Sequence, residues 1–242
     1  MRLDADDLSA GALGAYLARG QQPRTLQLLT VTFTLAYRAS GTGIPRLGND
    51  ARRTEVGATA EDLIERSVPF VEEIKNRTAG VELEAWLNQE RGPGSGLWDD
   101  LAGIIKDGVA DGWAANEEID GPNYRRSRII GPSERLNWFS ITAVYMNSVP
   151  LFCGEYHQHP YGEINMVIPL DEGALLRGPR GWQGPGWTSP EPGSHHYPEV
   201  VGGGLIALFY LPAGRISYDI TVPEDYDFMV PEGYRMSAAD GQ

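Results

Sequence analysis

The sequence predicts an α+β protein, with a mainly helical N-terminal region followed by a β-barrel of the jelly-roll type. Two observations support this fold class. In the first half of the chain, apolar residues recur three and four positions apart, which is typical of amphipathic helices. From about residue 120 the chain consists of short runs rich in Val, Ile, Tyr and Trp, separated by turns that contain Gly and Pro. We therefore expect a helical region over 1–118, a barrel over 119–220 and a C-terminal tail over 221–242.

Several segments of the N-terminal region carry a helical signal. Residues 8–17 place leucines and a tyrosine at helical spacing. Residues 24–38 are ambiguous, because their Thr-Val-Thr-Phe-Thr run is largely β-branched and fits a helix or a strand. Thr59 is expected to open a helix, since Thr-Ala-Glu-Asp places an acidic side chain three residues after a capping threonine. Two further helices are predicted over 72–89 and 97–115.

Six strands are predicted in the second half of the chain. Their boundaries follow the turn-forming sequences Pro-Tyr-Gly, Gly-Pro-Arg-Gly, Gly-Pro-Gly and Gly-Gly-Gly. The tail after Ile220 is acidic and contains two prolines, so we expect it to lie on the surface or to hang free. The predicted strands cover residues 124–130, 138–146, 152–159, 163–169, 195–201 and 205–211.

Composition narrows the classes of function. The chain has 33 acidic and 20 basic residues and a net charge of −13, which disfavours partners that are themselves anionic, namely nucleic acids and acidic membranes. The longest apolar run, 28–37, is interrupted by threonines and is too short to span a bilayer, and the N-terminus lacks the pattern of a secretory signal. The single cysteine, Cys153, excludes an intrachain disulfide. These features predict a cytoplasmic protein.

All four histidines of the chain lie in two short motifs, His157-Gln-His159-Pro-Tyr-Gly-Glu163 and Ser-His195-His196. In a strand, residues two apart point to the same face, so His157 and His159 project two imidazoles together. Pro-Tyr-Gly can bend the chain so that Glu163 adds a carboxylate oxygen, and a histidine of the later pair can close the site. Such a ligand set suits one divalent transition metal (iron, manganese, nickel, copper or zinc, with iron slightly preferred) rather than Mg²⁺ or Ca²⁺.

A metal site is not the only interpretation of these motifs. A lone His-x-His pattern is more often a pair of surface or hydrogen-bonded residues. The glutamate at the right offset and the confinement of every histidine to two motifs favour the metal. Because adjacent residues of a strand face opposite ways, only one of His195 and His196 should reach it.

Two residues just before the first motif share its parity. Cys153 and Glu155 lie at even spacing from His157 and His159, so both could face the barrel interior. Cys153 fits a buried structural cysteine better than a functional one. Glu155 could carry protons beside the metal, or it could lie at the barrel mouth in solvent.

The first motif resembles a signature of the cupin superfamily. That signature is His-x-His, three or four residues, Glu, six residues and Gly. Here Glu163 fits the pattern, and Gly173 lies later than the pattern requires. The resemblance implies a small metal-binding β-barrel, and because cupins commonly pair, it also implies a homodimer.

The second motif resembles the other cupin signature, Pro-x-Gly-x-x-His-x-x-x-Asn. Here His196 follows Gly193 at the right distance, whereas Glu191 and Val200 replace the proline and the asparagine. The resemblance implies that His196 is the third histidine ligand, with His195 as the alternative.

A closer resemblance covers roughly residues 110–220. The runs His-Gln-His-Pro-Tyr-Gly-Glu-Ile-Asn, Pro-Gly-Ser-His-His-Tyr-Pro-Glu-Val and Leu-Pro-Ala-Gly-Arg-Ile resemble the 4-hydroxylaminobenzoate lyase family. Members of that family convert an aryl hydroxylamine acid to the catechol acid protocatechuate and ammonia in nitroaromatic breakdown. The resemblance implies a metal-dependent lyase that acts on a small aromatic substrate. The long N-terminal half could mean a changed substrate.

An aryl hydroxylamine carboxylate calls for three kinds of group. Its carboxylate favours a bidentate guanidinium, its ring favours apolar or aromatic walls, and loss of the hydroxylamine oxygen favours a Lewis-acidic metal with a proton donor. Each arginine could instead be a solvated surface charge, and each tryptophan could belong to the core. The candidates for substrate binding are Arg126, Arg128, Arg177, Trp182, Trp187 and Tyr197, and those for proton transfer are Glu155, Tyr161 and His195.

Two other functions could use the same ligand set. An iron-dependent cupin oxygenase acting on an aromatic or amine substrate would bind O₂ at open metal positions. A sensor that binds a metal or a small molecule would need a partner-binding module, and the N-terminal half contains no basic recognition helix. We rank the lyase first, the oxygenase second and the sensor third.

Overall fold

The computed structural model describes residues 57–226, except for the side chains of residues 149–152. The helix predicted over 8–17, the ambiguous segment 24–38 and the tail beyond residue 226 therefore lie outside the described residues. Residues 221–226 contain neither helix nor strand. None of the helices found between residues 57 and 226 has the length and the apolar character needed to cross a membrane.

Three helices precede the sheets in this part of the chain: α1 (Ala60–Ile74), α2 (Val81–Glu90) and α3 (Gly96–Asp111). The predicted capping box at the start of α1 is present. The side chain of Thr59 accepts a hydrogen bond from the Asp62 amide, and the Asp62 carboxylate accepts one from the Thr59 amide at 2.7 Å. Two otherwise unpaired amides of the first turn are thereby satisfied.

The helix predicted over 72–89 is wrong in its first half. α1 continues to Ile74, and a loop reaches Gly80 before α2 begins. Gly80 has a φ of +146°, a conformation open mainly to glycine, so it separates two helices that have similar apolar spacing. The third helix is shorter than predicted, because Gly112 adopts the left-handed conformation and α3 ends at Asp111.

The described strands form two antiparallel sheets, so the fold is α+β as predicted. They are β1 (Glu117–Glu118), β2 (Tyr124–Ile130), β3 (Phe139–Cys153), β4 (His157–Gln158), β5 (Ile164–Pro169), β6 (Leu175–Gly178), β7 (Gly181–Gln183), β8 (Gly186–Thr188), β9 (His195–His196) and β10 (Glu199–Pro212). The larger sheet has the order β1-β2-β3-β10-β5-β8, and β6 pairs with both β10 and β7. β4 and β9 form a separate two-stranded sheet.

Two strand predictions are wrong in their continuity. The strand predicted over 152–159 is interrupted, because β3 ends at Cys153 and residues 154–156 lie outside any strand. The strand predicted over 195–201 stops after His196 and resumes beyond Pro198. Proline has no amide hydrogen to donate to a ladder, which accounts for the second break.

The Gly-Gly-Gly sequence at 202–204 forms a bulge rather than the predicted turn. β10 runs through it as one strand of 14 residues, and its register with β3 shifts between Val201 and Gly203. Gly202 and Gly203 have φ values of +77° and +119°, which residues with a side chain rarely adopt. The bulge lets a single strand pair with β3, β5 and β6.

The large sheet is buried on both faces. Along β10, Ile206 and Tyr210 belong to a core shared with the three helices, whereas Leu205 and Ala207 belong to a second core. This alternation follows the two-residue period of a strand. The hydroxyl groups of Ser67 in α1 and Tyr210 lie 2.9 Å apart, a buried polar contact between helix and sheet. The helices thus cover one face, and the other face encloses an interior.

Candidate metal centre and adjoining cavity

The two histidine motifs meet because β4 and β9 pair with each other. The antiparallel register places His157 directly opposite His196. Cross-strand neighbours share a face of the sheet, so these two imidazoles point to the same side and His195 points to the other. The amide of His159 donates to the Ser194 carbonyl at 2.8 Å, which holds the next histidine beside the same strand.

His157, His159 and His196 form one buried cluster. One ring nitrogen from each lies within 4.8 Å of the others, and the Nε2 atoms of His159 and His196 are 3.1 Å apart. The three residues are 7%, 0% and 6% exposed. This grouping could hold a metal ion, because borderline divalent metals bind several imidazole nitrogens around one point.

Burial keeps the three imidazoles neutral. It lowers the pKa of His157 to about 4 and the pKa of His159 to about 3. Burial, followed by the proximity of the other two histidines, also holds the pKa of His196 well below its ordinary value. Neutral imidazole is the form that binds a metal, so the cluster needs no deprotonation at neutral pH.

The hydrogen bonds of the cluster also fit a metal. Nδ1 of His157 lies 2.8 Å from the Glu155 carbonyl oxygen, which can only accept. Nδ1 therefore carries the hydrogen, and Nε2 keeps its lone pair for a ligand. Two imidazole nitrogens 3.1 Å apart, as in His159 and His196, require a hydrogen or a cation between them. A divalent cation would meet this requirement for the cluster as a whole.

Glu163 lies beside the three-histidine cluster rather than within it. Its Oε2 is 3.4 Å from Nδ1 of His159, and the residue is 4% exposed. Burial raises the pKa of its carboxyl group to about 8. The group therefore holds a proton at neutral pH unless a nearby cation stabilises the carboxylate.

A cavity adjoins the cluster on the interior face of the large sheet. The cavity is small and partly open to solvent. Val144, Met146, Leu176 and Phe209 give it largely apolar walls. The polar residues that line it are Tyr124, Arg126, His157, Glu163, Asn165, His196 and Tyr218.

Comparison with known proteins identifies the family. A family model described as 4-hydroxylaminobenzoate lyase (PnbB) matches residues 65–218, more than half of the chain. The chain belongs to the 4-hydroxylaminobenzoate lyase family. The resemblance carried by the histidine motifs is thereby confirmed.

Two curated relatives carry the same name, 4-hydroxylaminobenzoate lyase. One, from Nocardioides sp. (strain LMS-CY), is 67% identical over 168 residues, which are 69% of this chain and 99% of the relative. The other, from Pseudomonas putida, is 56% identical over 167 residues, which are 66% of this chain and 95% of the relative. A solved structure of DMSP lyases aligns over 67% of this chain and 100% of its own at 12% identity, with a TM-score of 0.32. That likeness is too weak to support an inference.

For this member of the family, the three predicted substrate-binding arginines have different surroundings. Arg126 lines the cavity, and its Nη1 donates to the Tyr218 hydroxyl at 2.8 Å. Arg128 is exposed and lies outside the lining. Arg177 forms an ion pair with the fully buried Glu199 at 2.6 Å, so its charge is already matched within the fold.

The predicted ring-binding aromatics of this family member lie away from the cavity. Trp187 is fully buried on the helical side of the sheet, where its ring lies 5.0 Å from that of Phe70. Tyr197 packs on Tyr156 at 4.8 Å, and Trp182 lies half-buried in β7. β8 places Trp187 in the core, and its contact with substrate stays a prediction.

The predicted proton donors also lie outside the cavity lining. Glu155 is exposed, since the interruption after β3 removes the parity that would have turned it inward. Tyr161 is 55% exposed. His195 is exposed and hydrogen-bonds through Nδ1 with the Tyr156 hydroxyl.

Three polar residues of the cavity were missed by the sequence prediction. Tyr124 is two positions before Arg126 in β2, and Asn165 is two positions after Glu163, so strand parity could have found both. Tyr218 follows the last strand and has no such signal. It reaches the cavity because Ser217 exchanges two backbone hydrogen bonds with Gln158, at 2.8 and 2.9 Å.

Proposed function

We propose that this chain is a lyase that converts 4-hydroxylaminobenzoate to protocatechuate and ammonia, and that it depends on one divalent metal ion. The single observation that carries the proposal is 67% identity over 99% of a relative that bears the lyase name. The buried histidine cluster supports it, because it places a candidate metal site beside a largely apolar cavity.

We further propose that the antiparallel sheets form a cupin-type barrel over 119–220, preceded by a mainly helical region over 1–118 and followed by a tail over 221–242. The long β10, the β4–β9 pair and the cavity lined by both sheets support this architecture. We also expect the protein to be a homodimer, which light scattering after gel filtration would measure.

In this proposal His157, His159 and His196 hold the metal, and Glu163 is the fourth ligand. Three neutral imidazoles and one carboxylate suit iron, manganese, nickel, copper or zinc, and iron remains our preference. When bound, the metal supplies Lewis acidity toward the hydroxylamine oxygen.

The walls of the cavity would position the substrate for the reaction. Val144, Met146 and Phe209 would hold the ring and keep bulk water away from the N–O bond. Loss of hydroxide, assisted by a proton, leaves an electrophilic iminoquinone-like ring. Water then adds at the carbon next to the nitrogen-bearing carbon, and hydrolysis of the imine releases ammonia. Overall, the substrate and one water give protocatechuate and ammonia, so no oxidant is consumed.

Glu155 is the best placed of the three predicted proton donors. Burial is the main cause of the raised pKa of Tyr124 and Tyr218, the charge of Glu155 contributes to both shifts, and both tyrosines line the cavity. We propose that Glu155 delivers the proton from the cavity mouth, where its exposed carboxylate can exchange protons with solvent.

Anaerobic turnover tests the proposed reaction. We expect the metal-loaded protein to convert 4-hydroxylaminobenzoate without O₂, and to release ammonia in equal amount to protocatechuate. Product chromatography and an enzymatic ammonia assay would measure both. A strict requirement for O₂, with O₂ consumed at each turnover, would contradict the lyase and indicate an oxygenase instead.

A further inference from the structure

We infer that Arg126, together with the Tyr218 hydroxyl, binds the ring carboxylate of the substrate and so determines its specificity. This inference rests on the proposed function and specifies how one end of the substrate is recognised. It distinguishes Arg126 from the other cationic side chains around the barrel.

Arg126 places an unmatched positive charge against the cavity. It is half-buried and lines the same space as Tyr124, Tyr218 and His157. Among the ion pairs found between residues 57 and 226, none includes Arg126. Arg126 is therefore a cation that lines the ligand space and takes part in none of these ion pairs.

Three carboxyl groups lie beside Arg126 or share its cavity without pairing with it. Glu163 lines the same cavity, and its Oε2 lies 3.4 Å from Nδ1 of His159. Glu117 is the cross-strand neighbour of Arg126 in β1 but is exposed at the sheet edge. The charge of Glu155 contributes, after burial, to the raised pKa of Tyr124 and Tyr218, but Glu155 is also exposed. Because none of the three comes within ion-pair distance, the guanidinium remains available to an anion that enters the cavity.

The apolar walls of the cavity make the positive charge of Arg126 selective for an anionic ring substituent. A half-buried guanidinium is costly beside Val144, Met146 and Phe209 unless an anion compensates it. A carboxylate matches the forked geometry of guanidinium through two parallel hydrogen bonds. A neutral ring substituent would leave the charge uncompensated, so the cavity favours an aryl carboxylate.

Tyr218 fixes the position of the guanidinium. Its hydroxyl accepts from Nη1 of Arg126 at 2.8 Å, which leaves the hydroxyl hydrogen free to be donated to a carboxylate. The Ser217–Gln158 backbone bridge sets the position of Tyr218, and Gln158 lies between two histidines of the cluster. The carboxylate subsite and the histidine cluster are therefore held by one short segment.

Arg128 and Arg177 provide the contrast. Arg128 is two residues further along the same face of β2, but it is exposed and does not line the cavity. Arg177 is already paired with Glu199. Arg128→Gln is therefore a matched control, because it removes the same charge from the same strand outside the cavity.

The test compares two unreactive probes, 4-hydroxybenzoate and its neutral analogue 4-hydroxybenzamide, by calorimetric titration of the metal-loaded protein. Wild type is expected to prefer the carboxylate. Arg126→Gln should weaken binding of 4-hydroxybenzoate roughly 10- to 100-fold and leave 4-hydroxybenzamide almost unchanged. Tyr218→Phe should weaken only the carboxylate, by a smaller factor, and Arg128→Gln should weaken neither probe.

Several results would overturn the inference. These are a wild type without preference for the carboxylate, equal effects of the two arginine substitutions, or a loss of both probes in folded Arg126→Gln. No effect of Arg126→Gln would indicate that the carboxylate binds elsewhere, for example on the metal. Because binding needs no turnover, this test is independent of the lyase assay. Carboxylate selectivity that depends on Arg126 in a protein without lyase activity would support the subsite and reject the proposed reaction.

Discussion

At the scale of single residues, the face of a short strand decides which histidine serves the site. His195 and His196 are adjacent in β9, yet only His196 joins the buried cluster with His157 and His159. His195 is exposed and bonds with Tyr156. Of two adjacent residues, one is thus a candidate metal ligand and the other is an exposed residue beside Tyr156.

The two histidines should therefore respond differently to substitution. His196→Ala removes one of three converging nitrogens, and we expect metal affinity to fall by at least about 10-fold. His195→Ala, the matched control, should keep its metal. Elemental analysis after reconstitution with each candidate metal would measure this, with circular dichroism to check folding. Full metal content in His196→Ala and its loss in His195→Ala would exchange the two roles.

Cys153 gives a second prediction at this scale. Burial, and then the neighbouring Glu199 carboxylate, raise the pKa of its thiol. Only the thiolate reacts readily, so alkylation by iodoacetamide near neutral pH should be slower in native protein than in urea by on the order of 100-fold or more. Mass spectrometry would follow the reaction, since the chain has no other cysteine. Equal rates in the two states would indicate that the thiol is accessible and not perturbed.

At the scale of elements, β10 and the helices around it determine where the site can form. β10 pairs with β3, β5 and β6. Its side chains alternate between the helical core on one face of the sheet and the interior on the other face. α3 packs into the helical core through Leu101 and Ile105. The helices therefore stabilise the sheet by packing on one face, and the other, interior face is left to line the cavity.

Two glycines of α3 provide a matched pair for testing this packing. A Cβ at Gly103 would meet no atom within 4 Å, so Gly103→Ala should stabilise the protein by up to about 1 kcal/mol through helix propensity. A Cβ at Gly108 would lie 2.4 Å from Cζ2 of Trp113, whose Nε1 donates to the Ala58 carbonyl. Gly108→Ala should therefore destabilise by about 1–3 kcal/mol. Urea unfolding would measure both, and shifts of the same sign would contradict this account.

At the scale of the whole molecule, the sequence predicts features that depend on neighbours along the chain. The capping box at Thr59, the bounds of β2 and the spacing of His157 and His159 are of this kind. Features that depend on pairing could not be predicted. Tyr218 enters the cavity through the bridge made by the adjacent Ser217. Trp187 belongs to the core because it lies opposite Met166 of β5, whose side chain faces the helices. The cavity exists only once both sheets have assembled.

Metal-dependent lyase activity at the three-histidine cluster is the central claim, and stoichiometric reconstitution tests it most directly. The protein would be stripped with a chelator and titrated anaerobically with one metal at a time, while bound metal and protocatechuate formation are measured together. We predict that turnover of 4-hydroxylaminobenzoate rises in proportion to bound metal and saturates near one ion per chain. Full turnover by the metal-free protein, or metal binding that restores no turnover, would contradict the claim.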